Sequence, residues 1–183
     1  LDFRTGEASV IWREGSASFR RECFVSRTDD VFALRFVADR DLHCTFALEP
    51  YRAGEDCPVD FKVSGKGDTV AIVGTYGNGG QYGGAARVSV DRGTVAVQDD
   101  SVVVEGAREI TFLLGMFTNE PAEEAVVALT SRLAGMAHGY DELRARHEEA
   151  HGRLFDRLRL DLPGESHGVA DDMLRDAYEG DVP

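Results

Sequence analysis

The sequence predicts a mainly β chain, an antiparallel β-sandwich followed by two helices and one further strand. In the first two-thirds, short runs rich in β-branched and aromatic residues alternate apolar with polar positions. Turn-forming residues separate these runs at short, regular intervals. After residue 118 the apolar repeat changes from two residues to about 3.6 residues, which is typical of helices. Strands this short and this regularly spaced favour a sandwich.

The predicted strands follow one another from the start of the chain. They lie at residues 6–14, 16–26, 31–39, 42–50, 68–76, 85–93, 94–100, 101–107 and 109–117. Residues 50–68 combine proline, glycine and charged residues, and they predict an irregular surface loop. The stretch GNGGQYGGA at residues 77–85 lacks the Gly-Lys-Ser/Thr ending of a phosphate-binding loop, so it predicts a hairpin connection.

Two amphipathic helices follow the strands. Pro121 and the acidic residues around it are typical of a helix N-terminus, and the apolar repeat then runs to Gly135. The second helix begins at Gly139, and its apolar stripe consists of Tyr140, Leu143, His147, Ala150 and Leu154. Alternating leucines at 158, 160 and 162 predict one returning strand. We expect a β-sandwich portion at 1–118, linker helices with the returning strand at 119–162, and a connector at 163–183.

The charge of the chain limits its partners. With 33 acidic and 20 basic residues, the net charge is −13. A surface this acidic repels nucleic acid phosphates and anionic lipids, so we expect neither nucleic acid nor a membrane as a partner. The sequence contains no long apolar span and no visible signal peptide, which predicts a soluble protein and leaves cytoplasm and secretion open. Cys23, Cys44 and Cys57 lack the spacing of a disulfide framework or zinc knuckle.

Residues His147, Glu148 and His151 spell H-E-x-x-H, the motif of a zinc metalloprotease helix. Charged neighbours such as Arg146 and Arg153 crowd the motif, and no third ligand follows at a suitable spacing. We therefore expect His147 to occupy a packing position and His151 to lie at the edge of the apolar stripe. A zinc hydrolase remains the least favoured alternative, and no metal or other cofactor is predicted.

Four aromatic residues offer a second alternative, a sugar-stacking platform on a free-standing carbohydrate-binding module. These residues are Trp12, Tyr51, Tyr76 and Tyr82. They are scattered over seventy residues of sequence, a pattern more typical of core and rim positions. No G-x-S-x-G nucleophile motif is present, so the residues alone predict no catalytic site.

Four stretches carry a resemblance to a known family. They are LDFRTGEASVIW, FRRECFVSRTDDVFALRFVAD, VEGAREITFLLGMFTN and YDELRARHEEAHGRLFDRLRLDLP. Together they resemble the N-terminal domain of glycoside hydrolase family 95, the bacterial α-L-fucosidases that cleave α-1,2-linked fucose. The resemblance covers nearly the whole chain and is most specific at 1–38 and 102–163. In the last stretch His147 matches a helix position of the family, whereas Glu148 is not a fixed feature.

The resemblance implies that the chain is a fragment of a longer, inverting enzyme. Further strands would precede Leu1, and an (α/α) toroid would follow Pro183. The catalytic residues and most fucose contacts would then lie in that toroid, so no catalytic residue is assigned here. The implied partners are the toroid of the same polypeptide and, through it, a fucosylated oligosaccharide. A sandwich lacking its first strands would expose an unpaired strand edge, from which we expect self-association.

Overall fold

The computed structural model describes residues 1–50, 58–136 and 139–158, and it confirms the mainly β, sandwich-type fold. Two helices follow the strands, α1 at Ala122–Gly135 and α2 at Tyr140–Phe155. The strands are β1 Ala8–Glu14, β2 Ala17–Ser26, β3 Val31–Phe46, β4 Val59–Lys66, β5 Thr69–Tyr76, β6 Gln81–Val90, β7 Thr94–Gln98 and β8 Ser101–Thr118. None of the described helices is long and apolar enough to span a bilayer.

The strands form one continuous antiparallel sheet. Its order is β1-β2-β3-β8-β6-β5-β4, and β7 pairs with the first part of β8. The two longest strands, β3 and β8, therefore lie side by side at its centre. The sheet runs from edge strand β1 to edge strand β4.

The sandwich arises because the two central strands turn back on themselves. The rings of Phe36 and Phe46 lie 6.3 Å apart on β3, whereas ten residues of straight strand would span about 33 Å. The pairing of β3 with β8 shifts register between Val37 and His43, as expected where a bulge bends a strand. Gly106 on β8, with φ of +76°, lies beside this shift in a conformation that favours glycine. The last part of β3 and the first part of β8, with β7, thus build the second layer.

Each face of the main layer has its own core. The core between the two layers contains Val70, Ala86, Val88, Val102, Val104, Ala107, Ile110 and Phe112. The opposite face packs against the helices, with α1 over β5, β6 and β8 and α2 over β2 and β3. This core contains Phe24, Val31, Ala33, Ala71, Ala85, Leu113 and Phe117 with residues of both helices.

Several sequence-based boundaries were wrong. Residues 31–39 and 42–50 were predicted as two strands, but β3 is continuous through Asp39-Arg40-Asp41. The predicted strands 101–107 and 109–117 are likewise one strand, β8. The polar residues at 39–41 of β3 and Gly106 of β8 lie at the bend and do not end either strand.

The predicted loop 50–68 contains β4, which is a further correction. Val59, Phe61 and Val63 alternate with polar residues that face outward, as an edge strand requires. Residues 51–57, which include Tyr51 and Cys57, lie outside the described residues, whereas Cys23 and Cys44 are free and half-buried. The 77–85 stretch is a short turn followed by β6, which begins at Gln81.

Both helices lie where the sequence places them. The side-chain oxygen of Gln81 accepts the backbone N–H of Ala122 at 3.0 Å, so β6 supplies a partner for the first turn of α1. Acidic residues occupy the first turn of each helix, where the helix dipole favours negative charge. Residues 159–162 of the predicted returning strand and the connector 163–183 lie outside the described residues.

Candidate functional site

His147 lies inside the protein, where α2 packs on β2. Its side chain is nearly fully buried, and its ring stacks on Phe24 with centroids 4.9 Å apart. The backbone N–H of Arg27, directly after β2, donates to Nδ1 of His147 at 3.3 Å. The buried Nε2 faces the carbonyl of Thr5 without a hydrogen bond of good geometry. His147 is thus a packing residue with a polar anchor.

His151 lies one helical turn later and contacts the same arginine. Nε of Arg27 donates to Nδ1 of His151 at 2.9 Å. On the other side of the ring, Nε2 lies 3.0 Å from the carbonyl oxygen of Phe3. Since Nδ1 accepts a hydrogen bond in each ring, the pattern assigns both histidines the neutral tautomer with its proton on Nε2.

Arg27, His147 and His151 therefore join three parts of the chain, and we call them the Arg27 clasp. They connect α2, the turn between β2 and β3, and the N-terminal segment, residues 1–7. Gly6 fits closely against the clasp with φ of +66°. A Cβ at this position would lie 3.0 Å from Nε2 of His147 and 3.2 Å from the ring of His151.

Glu148, the acidic residue of the H-E-x-x-H motif, contacts a different partner. Glu148 forms an ion pair with Arg144 at 2.9 Å, and Nε of Arg144 also lies 3.4 Å from a carboxylate oxygen of Glu7. Burial raises the pKa of Glu7, and the Arg144 charge opposes this effect. Glu148 thus neutralises a cation on the helix surface.

This arrangement does not fit a zinc site. A zinc ligand must present an imidazole lone pair to the metal. In both rings the Nδ1 lone pair accepts a hydrogen bond from Arg27, which assigns the proton of the neutral ring to Nε2. Among the described residues, no group of three or more His, Cys, Asp or Glu side chains is placed to hold a metal ion.

A cavity of about 470 Å³ opens beside the clasp. It is lined by Gly6, Val25, Ser26, Arg27, Asp30, His147 and His151. The pKa of His147 is lowered, first because burial disfavours the charged ring and then because His151 and Arg27 add positive charge nearby. At neutral pH the cavity wall therefore includes a neutral His147.

A second buried polar cluster fixes α2 to the sheet. Nε and Nη2 of Arg35 donate to one carboxylate oxygen of Glu22, at 3.0 and 2.8 Å. Nη1 of the same guanidinium donates to Asp141 of α2 at 3.0 Å. The guanidinium also lies 4.4 Å from the centre of the Tyr140 ring, a cation–π distance. Helix α2 is thus held by both of its ends.

The aromatic residues of the sequence-based platform are separated in the fold. Trp12 lies on edge strand β1 and stacks on Phe19, with centroids 5.2 Å apart. Tyr76 and Tyr82 lie 5.1 Å apart on β5 and β6. The first pair spans β1 and β2, so strands β3 and β8 lie between the two pairs. Trp12, Tyr76 and Tyr82, the described residues of the predicted platform, therefore lie in two separate pairs and form no single platform.

Sequence reasoning singled out the two histidines but missed their partners. Arg27, Arg35 and Glu22 lie far from α2 in sequence, and no local motif marks them. A weak signal was available in Glu22 and Arg35, which are charged residues at inward positions of strongly alternating β runs.

Comparison with known proteins agrees with this fold. Residues 1–123 match the family model described as glycosyl hydrolase family 65, N-terminal domain. A solved structure described as "Putative kojibiose phosphorylase from human microbiome" is similar, with a TM-score of 0.58 and 14% sequence identity. The likeness covers 85% of this chain but only 24% of that one, and at this identity it shows the fold alone. No match was found among curated proteins.

The family model covers well over half of the chain and includes every strand of the sheet. The specific resemblance to family 95 is not confirmed by these comparisons, whereas an N-terminal sandwich domain of a glycoside hydrolase is. The chain belongs to the glycosyl hydrolase family 65 N-terminal domains.

Proposed function

We propose that this chain is a non-catalytic domain of a longer glycoside hydrolase, in which it supports a separate catalytic domain. The observation that carries the proposal is the match of residues 1–123 to an N-terminal domain family of such enzymes. The likeness to a solved protein of which this fold makes up 24% points the same way.

Exposed apolar residues on one face of the sheet favour a role in which the chain contacts a catalytic domain. Val25, Met116 and Tyr76 are 63%, 69% and 40% exposed, and they share the face that the second layer covers only in part. Half-buried Phe32 and Leu114 lie on the same face, paired with each other across β3 and β8. Apolar residues exposed together on one face of a sheet are a common feature of contacts with another domain or protein.

Three carboxylates near α2, the buried Glu22 and the half-buried Glu7 and Glu148, also favour a non-catalytic role. Glycoside hydrolysis needs two carboxyl groups that flank the substrate. Glu22 is held by Arg35, and Glu7 and Glu148 both contact Arg144. None of the three lines the cavity beside the clasp. Their arrangement serves internal packing.

The finer proposal is that the longer enzyme is an α-L-fucosidase acting on terminal α-1,2-linked fucose by inversion. It rests on the four resembling stretches, above all residues 140–163. The alternative chemistry is phosphorolysis of a disaccharide, which the description of the solved protein suggests. Both chemistries would be carried out in the catalytic domain.

One experiment separates these two activities. The longer polypeptide that contains this chain would be incubated with an α-1,2-fucosylated oligosaccharide in phosphate-free buffer, and in parallel with kojibiose and inorganic phosphate. Fucose release in the first reaction supports the proposal. Phosphate-dependent formation of a sugar phosphate in the second, without fucose release, refutes the fucosidase assignment and retains the supporting role.

A carbohydrate-binding module is the second candidate, since Trp12 is 38% exposed on an edge strand. Trp12 is also the one tryptophan of the chain, so tryptophan fluorescence reports directly on that surface. A saturable change in emission on addition of a fucosylated glycan, absent with a non-fucosylated one, would favour binding. Unchanged emission favours the supporting role alone.

A further inference from the structure

A groove separates helix α1 from edge strand β4 on the helix side of the sheet. It has a volume of about 480 Å³, and Ala71, Val126 and Val127 form its apolar part. Ser64 of β4 and Ser131 of α1 place hydroxyl groups on its two walls. Val127 is 63% exposed, so the described residues leave apolar surface uncovered here. We call this feature the α1–β4 groove.

The two lysines of the chain both lie beside this groove. They are Lys62 and Lys66 of β4, and the sequence contains no other lysine. Lys66 lines the groove directly, whereas Lys62 is paired in register with Val73, which packs in the core beneath α1. Residues paired in this way point to the same face of a sheet, so both lysines lie on the helix side.

Neither lysine has a counter-charge within the described part of the chain. Both side chains are exposed, and the ion pairs found among residues 1–50, 58–136 and 139–158 are all made by arginines. Asp68, in the turn that follows Lys66, pairs with Arg87 at 2.8 Å instead. In a protein with a net charge of −13, two unpaired cations beside an apolar groove favour a negatively charged ligand with apolar neighbours.

The connector predicted at 163–183 has the composition to occupy this groove. It contains six acidic residues and one arginine, so its charge is complementary to that of the two lysines. Asp171 and Asp172 are followed directly by Met173 and Leu174. Anionic and apolar side chains thus lie next to each other in the sequence, which matches a groove lined by lysine and valine side chains.

The connector is long enough to reach the groove from the end of α2. Helix α2 ends at Phe155 above β2 and β3, and β4 lies five strand spacings from β2. Five spacings of about 4.8 Å amount to about 24 Å. Residues 159–170 can span about 40 Å when extended, so Asp171 can reach the groove. Because the contact is intramolecular, the effective concentration of the connector is in about the millimolar range, at which weak contacts suffice.

We propose that the α1–β4 groove binds the connector of the same chain, with the carboxylates of Asp171 and Asp172 beside Lys62 and Lys66. The apolar residues that follow them would cover Val127. Docking of this kind would fix the direction in which the chain leaves the domain. It adds a defined exit path to the supporting role, and it does not depend on the reaction that the longer enzyme performs.

Carbodiimide cross-linking of the 183-residue chain at low concentration, followed by peptide mass spectrometry, tests this docking. The reagent joins an amine to a carboxylate that it contacts, and with two lysines in the chain each lysine cross-link reports on this groove. We expect cross-links from Lys62 or Lys66 to Asp171 or Asp172. Their yield should fall severalfold at about 1 M salt, where the Debye length is only about 3 Å.

Variants of both partners separate docking from random reaction. Asp171→Asn combined with Asp172→Asn should abolish most of these cross-links, whereas Glu165→Gln, a loss of charge closer to α2, should retain them. Val127→Asp adds a negative charge to the groove and should lower the yield severalfold. Glu123→Gln should raise it, since Glu123 lies on the same side of α1, one turn before Val127.

NMR of the same chain supplies a second readout that does not need the lysine amines. Replacing Lys62 and Lys66 together with glutamine should shift the backbone amide signals of residues 171–174 and leave those of β8 in place. Unchanged signals at 171–174 would contradict the docking.

Three cross-linking outcomes would also overturn it. One is the absence of lysine cross-links to residues 163–183, and another is a yield that the double asparagine variant leaves unchanged. The third comes from an equal mixture of isotope-labelled and unlabelled chains. Cross-linked peptides that combine one labelled and one unlabelled partner would show that the connector binds a neighbouring copy. None of these outcomes bears on the supporting role, which the activity of the longer enzyme tests.

Discussion

Arg35 and Glu22 form an ion pair inside the protein, with two guanidinium donors at 3.0 and 2.8 Å from one carboxylate oxygen. The two side chains are only 8% and 6% exposed. They lie on adjacent strands, β2 and β3, directly opposite one another. Through Asp141, Arg35 also fixes the first turn of α2 to the sheet. The pair thus links the sheet to the helix that carries the clasp.

Removing one partner of this pair should destabilise the protein severely. We expect Arg35→Met to lower the free energy of unfolding by about 3 kcal/mol, because Glu22 would be left buried with only the half-exposed Arg20, 3.3 Å away, as a counter-charge. Arg40→Ala is the matched control, since its pair with Glu14 is exposed, and we expect a loss of about 1 kcal/mol. Urea denaturation measures both values.

The double variant Glu22→Leu with Arg35→Met tests the reason for this loss. Replacing both charges removes the unpaired ion, so much of the lost stability should return. A double variant as unstable as Arg35→Met would show that the contacts of Arg35 with Asp141 and Tyr140 matter more than its charge pairing.

The lowered pKa of His147 predicts how stability varies with pH. The unfolded chain takes up this proton near pH 6.5, whereas the folded protein resists it to a lower pH. Between these two values the unfolded state binds more protons, so the free energy of unfolding falls as the pH drops through this window. Glu7 has a raised pKa, so above its usual value of 4.5 it has the opposite effect, and the free energy of unfolding rises as the pH drops through its window.

The measurement is urea unfolding at a series of pH values in a Glu7→Gln background, which removes the opposing contribution of Glu7. Replacing His147 with phenylalanine should flatten the slope between pH 6.5 and the lower, folded-state value. An equally steep slope in that variant would show that another group is responsible.

The glycine that fits against the clasp offers a test of close packing. Gly15, in the turn between β1 and β2, has a similar φ of +62° and open space around it. Gly15→Ala should therefore cost about 1 kcal/mol from backbone strain alone. Gly6→Ala should cost more than this, because its Cβ would also press on both imidazoles. Equal losses of thermal stability would contradict the packing described for Gly6.

Edge strand β1 predicts self-association. Within the described residues it pairs on one side only, with β2, and every residue after Ala8 is exposed, including Ile11 at 71%. Free edges of this kind recruit further strands. We expect light scattering to show a dimer or larger species at high concentration, which Ile11→Lys should dissociate.

The control for that experiment is Ser64→Lys, which adds the same charge at the opposite edge, on β4. There the exposed Asp60, Lys62 and Lys66 already protect the edge. A wild-type protein that remains monomeric at high concentration would refute the expectation for β1.

Much of the fold followed from local sequence patterns, and its errors have a common cause. Alternation predicted most strands, and the 3.6-residue repeat placed both helices within one residue of their bounds. Gly106 was interpreted as a turn, and β3 was divided into two predicted strands at Asp39, because a strand that bends at a bulge uses the same residue types as a turn. β4 was missed because an edge strand carries outward charges that look like a loop.

The candidate site was less predictable, since its contacts are distant in sequence. His147 and His151 were visible as a motif, but Arg27 and Phe3, which occupy their nitrogens, lie more than a hundred residues earlier. Only the folded structure shows that ring nitrogens of both histidines are engaged in hydrogen bonds within the protein. A short motif therefore could not distinguish a metal site from a structural joint.

The most direct test of the central claim compares this chain with the proposed longer enzyme. Both would be purified and incubated at equal molar concentration with an α-1,2-fucosylated oligosaccharide, and released fucose would be measured. We predict release by the longer polypeptide and none by residues 1–183 alone. Fucose released by the 183-residue chain at a comparable rate would contradict the claim that the catalytic residues lie outside it.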